Sequence, residues 1–322
     1  MKAIIIVVII LAALLLIVLF LLALMKWARS KLRKLMAPHF KSNTPTLQPG
    51  EKKKPGVLYV HMPDLRPWGN PNASPFSLKL ETWLLMSKIP YVVIRGFDTK
   101  KAPKGKIPFI EIDDLIMGDS ELIIQYLQKR FPEYPVPGDS LLTHAEKAVG
   151  QAFARMVSDC TVACMGYSRN VENIEYTLKA YTGMPASAPL PLYMRIVASL
   201  IRRSTSKRLA SQGVGRHTRD EIYEIGCRDF KAISDFLGNK PFLLGPNPTT
   251  YDASVFAILA SSLWVPVEFP MKTYAYEQLP GLDAYLLRVR DAVWGQTLEP
   301  WYTGGEVADR MRKTFGEVTL QA

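Results

Sequence analysis

The feature that most constrains the fold is the segment 104–120, whose sequence is KGKIPFIEIDDLIMGDS. Residues 107–112 are rich in β-branched and aromatic side chains, which predicts a strand. The two aspartates that follow predict a tight turn, and residues 115–117 predict a second strand that pairs back. An acid–serine pair then predicts the start of a helix over 121–130. The segment therefore predicts a β-hairpin that leads directly into a helix.

The rest of the chain divides into an α/β part and a helical part. Before the hairpin, the pattern predicts strands at 57–62 and 91–94, with a helix at 76–88 between them. After residue 138 the strand patterns stop. Helices are predicted there over 141–169, 192–210, 218–237, 251–263 and 282–293. This order predicts one small mixed sheet of four strands with helices against it, followed by an all-helical unit.

The N-terminus carries a long apolar run, because residues 3–25 contain no charged or polar side chain. At about 1.5 Å per residue, a helix of this length spans roughly 35 Å, against roughly 30 Å for the hydrocarbon core of a bilayer. A cleaved signal peptide is the alternative, but its apolar region is usually about 7–15 residues long. The run therefore predicts a retained transmembrane anchor.

Most of the positive charge lies beside this run. The net charge is +11, and residues 1–56 hold ten Lys or Arg and one acid, so the remainder is nearly neutral. This distribution predicts contact of the basic flank with anionic lipid and excludes a nucleic-acid groove. The positive-inside rule then predicts a single-pass membrane protein whose globular part is cytoplasmic, with the organelle left open.

Ser74 is a candidate site residue at the start of the first predicted helix. Serine at the N-cap with Pro75 behind it is by itself a strong helix-start signal. The alternative is a hydroxyl that donates a hydrogen bond to a bound thiolate. The segment 74–77 places serine at both ends of what would be a C-x-x-C motif, which excludes disulfide exchange there.

Two further pairs are candidates for ligand binding. Ile107-Pro108 precedes the central strand, either as a cis-proline turn or as an edge-strand proline without a ligand. Asp119-Ser120 begins a helix, where N–H groups and the helix dipole favour anions. The simpler alternative for Asp119 is an ordinary N-cap.

The cysteines predict no disulfide framework and no metal site. The chain has three, Cys160, Cys164 and Cys227, which fits a reducing compartment. Cys160 and Cys164 have helical spacing and could bind a soft metal with another ligand. Buried free cysteines are the commoner cause of such a spacing.

Several segments of the chain, taken in order, carry a family resemblance. They are SPFSLKLETWL (74–84), KGKIPFIEI and DSELIIQYL (within 104–127), GVGRHTRDEI (213–222) and FLGNKPFLLGPNPTTYDASVFAIL (236–259). Together they resemble the failed-axon-connections family, which is glutathione-S-transferase-like and related to metaxins and nematode cadmium-responsive proteins. The resemblance covers about residues 57–296. The chain departs from it at Ser77, where the family typically has a cysteine, and this makes a redox role more doubtful.

The resemblance implies a fold class: a thioredoxin-like N-terminal domain and a helical glutathione-transferase-type C-terminal domain, here preceded by one transmembrane helix. The predicted domains are an anchor (1–25), a basic linker (26–56), a thioredoxin-like domain (57–135), a helical domain (136–300) and a tail (301–322). The box Thr249–Asp252 is implied to be a folding element of the helical domain.

The resemblance also implies glutathione as a ligand or co-substrate. Ser74 would lie at its thiol, the Ile107 backbone beside a cis Pro108 would pair with the peptide, and Asp119 with Ser120 would hold the γ-glutamyl end. The first hypothesis is a membrane-tethered binding protein with a weak or vestigial glutathione site. The alternatives are a glutathione transferase for lipophilic substrates, which leaves enzymatic activity open, and a metaxin-like component of a protein-import complex. Protein partners and a homodimer fit all three hypotheses, and nucleic acid fits none.

Overall fold

A small sheet and a bundle of helices make up the part of the chain that the computed structural model describes. That part comprises residues 45–48, 50–63, 70–96, 99–182, 184, 187–265 and 267–295. The N-terminal unit contains four strands and two helices, in the predicted order. They are β1 (Tyr59–Met62), α1 (Pro75–Ser87), β2 (Val92–Arg95), β3 (Phe109–Ile112), β4 (Leu115–Gly118) and α2 (Ser120–Arg130).

The sheet is mixed, with the strand order β2-β1-β3-β4. β1 pairs parallel to β2 and antiparallel to β3, and β3 forms an antiparallel hairpin with β4. Side chains alternate between the two faces of a strand. Val60, Met62, Ile110 and Ile112 are almost fully buried in the same core as the helices. The prediction of one mixed four-stranded sheet is therefore confirmed.

A segment before β1 extends the sheet along its β2 side. Thr46 forms an isolated parallel bridge with Val93. The Val93 N–H donates to the Pro45 carbonyl at 2.8 Å, and the Leu47 N–H donates to the Val93 carbonyl at 3.0 Å. Further along, Lys53 forms an ion pair with Glu111 of β3. We call residues 45–48 and 50–54 the strap, because residues 45–47 lie beside β2 and Lys53 reaches a central strand.

The C-terminal unit is entirely helical in the residues described. Its helices are α3 (His144–Met156), α4 (Val162–Tyr167), α5 (Ile174–Thr182), α6 (Leu192–Gln212), α7 (Arg219–Leu237), α8 (Thr250–Leu263), α9 (Pro270–Gln278) and α10 (Gly281–Val289). Wider π turns at Val157–Thr161 and Ser168–Glu172 lie on either side of α4, so the predicted helix over 141–169 is one helical stretch with two changes of pitch. α8 is buried from Asp252 to its last residue and is the centre of the bundle.

The fold-class prediction needs one correction, which concerns the transmembrane helix. Among the described residues, no helix combines the length and the apolar character needed to cross a bilayer. The longest of these helices, α6, has 21 residues, and its five Arg or Lys side chains would be costly in hydrocarbon. The predicted anchor at 3–25 lies outside the described residues. The structure thus contradicts the predicted single-pass localisation and its lipid contact, which we do not retain.

The close approach of α3 to α8 yields a first prediction. A Cβ on Gly150 would lie 2.4–2.7 Å from three ring atoms of Tyr251, whereas a Cβ on Gly166 of α4 would meet nothing within 4 Å. We expect Gly150→Ala to lower the free energy of unfolding by about 1–3 kcal/mol through overpacking. Gly166→Ala is expected to raise it by up to about 1 kcal/mol, since alanine favours a helix over glycine. Urea unfolding of both variants checks this, and shifts of the same sign would contradict it.

Candidate functional site

The predicted site residues all lie at one end of the strands of the sheet. Phe109, the first residue of β3, pairs with the third residue of β1 and with the last residue of β4. β3 therefore begins where β1 and β4 end. Ser74 follows β1, Pro108 precedes β3 and Asp119 follows β4. We call Ser74, Ile107, Pro108, Asp119 and Ser120 the candidate edge.

Ser74 is the N-cap of α1, as its helix-start pattern predicts. Its backbone is extended, and its Oγ accepts the Ser77 N–H at 3.3 Å. This bond uses a lone pair of the oxygen, so the Ser74 hydroxyl hydrogen stays available to a ligand. The cap and the thiolate-binding hypotheses are therefore compatible. Ser77 is fully buried, and its hydroxyl has no hydrogen-bond partner among the described residues.

Two asparagines hold the backbone ahead of Ser74, and sequence reasoning did not find them. Asn72 Oδ1 accepts the Ser74 N–H at 3.0 Å, and Asn70 Oδ1 accepts the Asn72 N–H at 3.2 Å. Asn70 Nδ2 in turn donates to Ser261 Oγ of α8 at 3.1 Å. The start of α1 is thus tied to the centre of the helical unit. Asn72 is fully buried, but an asparagine in a loop carries no local signal that distinguishes a brace from an ordinary turn.

The Ile107–Pro108 peptide bond is cis, as predicted. The backbone N–H and C=O of Ile107 make no hydrogen bond to another described backbone group, in the strand ladders or outside them. Pro108 is buried while Ile107 is partly exposed. The edge therefore carries one residue whose donor and acceptor are both available to an extended peptide.

Asp119 caps α2 and has an unusual backbone conformation. Its φ is +86°, a region that costs a non-glycine residue about 1–3 kcal/mol. Its Oδ1 accepts the N–H groups of Glu121 at 3.0 Å and Leu122 at 3.3 Å. Oδ2 lies 3.7 Å from the Lys104 ammonium. One carboxylate oxygen thus caps the helix, and the other faces the Lys104 ammonium.

Ser120 is buried at the first turn of α2. The Asp119 side chain accepts the N–H groups of Glu121 and Leu122, and the Ile123 N–H donates to the Asp119 carbonyl at 2.9 Å. The Ser120 N–H takes part in none of these contacts, so it remains a donor at the helix N-terminus. Such a donor at a helix N-terminus favours an anion.

Cys160, in the π turn Val157–Thr161, and Cys164, in α4, lie near the Asp229 carboxylate of α7. Burial, with help from the nearby Asp229 carboxylate, raises the pKa of Cys160 to about 11, and burial also raises the pKa of Cys164. Both are therefore protonated thiols at neutral pH, and the thiolate is the form that binds metals. Within the described ranges, no cluster of three or more His, Cys, Asp or Glu could hold a metal ion.

Two family models match the chain. The model for the glutathione S-transferase N-terminal domain matches residues 75–175, which include the candidate edge from Ile107 onward. The model for the glutathione S-transferase C-terminal domain matches residues 226–289, which include α8. The first match begins at α1 and extends through the rest of the α/β unit into the helical unit, and the second lies within the helical unit.

Three curated proteins illustrate the similarity. Failed axon connections of Drosophila melanogaster is 29% identical over 69% of this chain, which spans 54% of that protein's length. Isoprene-epoxide–glutathione S-transferase of a Rhodococcus strain is 28% identical over 73% of this chain and 97% of its own length. Human metaxin-2 is 26% identical over 58% of this chain and 70% of its own length.

Proposed function

We propose, for a chain that is glutathione-S-transferase-like and related to failed axon connections and the metaxins, that the candidate edge binds glutathione. The site favours binding over catalysis. The protein acts mainly by recognising this tripeptide or its conjugates, and any transfer reaction is slow.

The observation that carries the proposal is the Ile107 backbone, whose N–H and C=O bond to no described backbone group, next to a capped helix start. Glutathione is an extended peptide, and an unpaired N–H and C=O can pair with it as a strand would. The helix N-terminus at Ser120 suits the γ-glutamyl carboxylate. The second oxygen of Asp119 suits the ammonium group, and a charge-assisted contact of this kind contributes about 1.5–3 kcal/mol.

The site offers fewer contacts to the thiol of glutathione than to its γ-glutamyl end. Ser74 provides one hydroxyl hydrogen, which can stabilise a thiolate by a single hydrogen bond. Ser77, the next hydroxyl of the helix, is fully buried and lies beneath the surface of the N-terminal turn. With one neutral donor at the sulfur, we expect little activation of the thiol.

A glutathione transferase is the second candidate function. It is favoured by the near full-length similarity to a relative whose name assigns it a transferase activity on an epoxide. It is also favoured by the Ser74 hydroxyl hydrogen, which the cap bond leaves unused. In this case Ser74 would stabilise the thiolate that attacks the electrophile.

Isothermal titration of the full chain with glutathione tests the proposal. We expect a dissociation constant of about 1 mM, which is about −4 kcal/mol. Asp119→Asn keeps the helix cap, because asparagine is as good an N-cap as aspartate. It removes the charge, so binding is expected to weaken roughly tenfold or more.

Asp220→Asn is the matched control, since Asp220 is an acid in the first turn of α7 whose side chain is 90% exposed. It should leave the affinity unchanged. Equal affinities for the wild type and Asp119→Asn would contradict the proposed role of Asp119. Rapid conjugation of a standard electrophile, lost in Ser74→Ala, would instead establish the transferase.

A further inference from the structure

Arg169 is a buried arginine for which the structure provides no counter-charge among the described residues. It lies in the π turn Ser168–Glu172, and only 6% of the residue is exposed. Its Nη2 donates to the Ala73 carbonyl at 3.4 Å and its Nη1 to Met165 Sδ at 3.8 Å, both long contacts. Its Nε has no hydrogen-bond partner in the described part of the chain, and no described carboxylate lies close enough to influence its charge.

Such a group is costly unless something compensates it. A guanidinium has five N–H donors and cannot readily lose its proton. Burial lowers the pKa of Arg169 to about 10, and the side chain therefore remains charged at neutral pH. A buried charge without a partner destabilises a protein by several kcal/mol. A ligand that supplied an anion would remove this cost.

Tyr181, near the end of α5, adds a second unsatisfied polar group at the same place. The Arg169 guanidinium lies over its ring, 5.3 Å from the ring centre. The Tyr181 hydroxyl is buried and has no hydrogen-bond partner among the described residues. Two neighbouring side chains from different helical segments thus each keep an unused donor, which is uncommon in a folded interior.

The position of this pair links it to the candidate edge. Arg169 contacts the carbonyl of Ala73, and the next residue along the chain is Ser74, the N-cap of α1. A helix N-terminus favours anions through its unpaired N–H groups and its dipole. The guanidinium and the start of α1 therefore both favour an anion next to Ser74.

We propose that Arg169 and Tyr181 form a carboxylate-binding subsite beside Ser74. This inference rests on the proposed function, because the carboxylate is carried by the substituent on the glutathione sulfur. The planar guanidinium binds both oxygens of the carboxylate, and the Tyr181 hydroxyl donates to one of them. The preferred ligands are then glutathione conjugates with an acidic substituent rather than purely apolar ones.

A matched pair of conjugates tests the inference on the full chain. S-(carboxymethyl)glutathione and S-(carbamoylmethyl)glutathione have nearly the same shape and differ in charge. We expect the wild type to bind the carboxymethyl conjugate roughly tenfold more tightly, as a charge-assisted pair allows. In Arg169→Met the two conjugates should bind about equally. In Tyr181→Phe the ratio of their dissociation constants should fall roughly threefold.

Arg202→Met is the matched control. Arg202 also donates to a backbone carbonyl, that of Val171 at 2.9 Å, but it lies in exposed surroundings. This variant should keep the full preference. Retention of the preference in Arg169→Met, or its absence in the wild type, would overturn the inference. If Arg169→Met does not fold, Tyr181→Phe and Arg169→Lys measure the same preference, which should fall in both, since lysine keeps the charge but loses bidentate geometry.

A third arm separates the subsite from glutathione binding. If neither conjugate binds the wild type, the proposed function fails, and thermal shifts with propionate and propionamide still test the subsite. A stabilisation by propionate that is absent with propionamide and lost in Arg169→Met supports the subsite. Equal shifts with both compounds overturn it.

Discussion

Replacing Asp252 with alanine is expected to lower the free energy of unfolding by about 3–5 kcal/mol, because it leaves several buried donors without a partner. The Asp252 side chain is fully buried at the start of α8. It accepts the Leu243 N–H at 2.8 Å, the Thr249 N–H at 2.8 Å and hydroxyl bonds from Thr249 and Tyr285 at 2.7 and 2.9 Å. One carboxylate thus joins the loop before α8, the start of α8 and α10.

Urea unfolding of the full chain measures this loss. Asp235→Ala is the control, because Asp235 pairs with Lys231 on the surface of α7, and such exposed pairs contribute at most about 0.5 kcal/mol. A loss below about 1 kcal/mol for Asp252→Ala would show that the loop and α8 rearrange to satisfy their own hydrogen bonds.

Replacing Trp83 with alanine is expected to lower the free energy of unfolding by about 3–5 kcal/mol as well, chiefly through the cavity it leaves. Trp83 lies in the middle of α1, is fully buried and belongs to the core shared with the helical unit. Its Nε1 donates to Thr250 Oγ1 at the start of α8, at 3.0 Å. The variant removes both the packing and this bond between the units.

Trp83→Phe separates the two contributions. It keeps most of the apolar volume, so the loss of the hydrogen bond should dominate, at about 1 kcal/mol. Leu200→Ala is a control for general truncation, because Leu200 is 49% exposed and should change stability by less than about 0.5 kcal/mol. Equal losses for the alanine and phenylalanine variants at position 83 would contradict a cavity as the main cause.

The sheet was predictable because its residues carry local signals. Alternating apolar side chains, the Asp113-Asp114 turn and the acid–serine pair each act within a few residues. The same holds for the caps at Ser74 and Asp119, which the structure forms with their own helices. The order of the strands and helices in the α/β unit therefore follows from local signals, whereas the grouping of Ser74, Ile107 and Asp119 into one site was implied by the family resemblance.

The helices α5 and α9 were not predicted, for two physical reasons. α5 directly follows the π turn Ser168–Glu172, so its apolar period is out of phase with α4. α9 begins at Pro270 and has only nine residues, with both polar and aromatic side chains on its surface. Short helices of this kind are stabilised by packing rather than by their own pattern.

Arg169 and Asn72 were not predicted because their roles depend on distant residues. The Arg169 contact with Ala73 joins positions 96 residues apart. Asn72 is held by Asn70, which bonds to Ser261, 191 residues further along the chain. No local pattern marks an arginine as buried and without a counter-charge. Such roles arise only when the folded chain brings the two segments together.

The strap covers one edge strand of the sheet, β2, but not the other, β4. Outer strands present rows of unpaired N–H and C=O groups, through which sheets from separate molecules can join and aggregate. Residues 45–47 occupy that position beside β2, so the chain's own backbone closes this border. In the described part of the chain, β4 pairs only with β3, and Ile116 on it is 43% exposed. Any joining of these sheets between molecules is therefore expected to occur through β4.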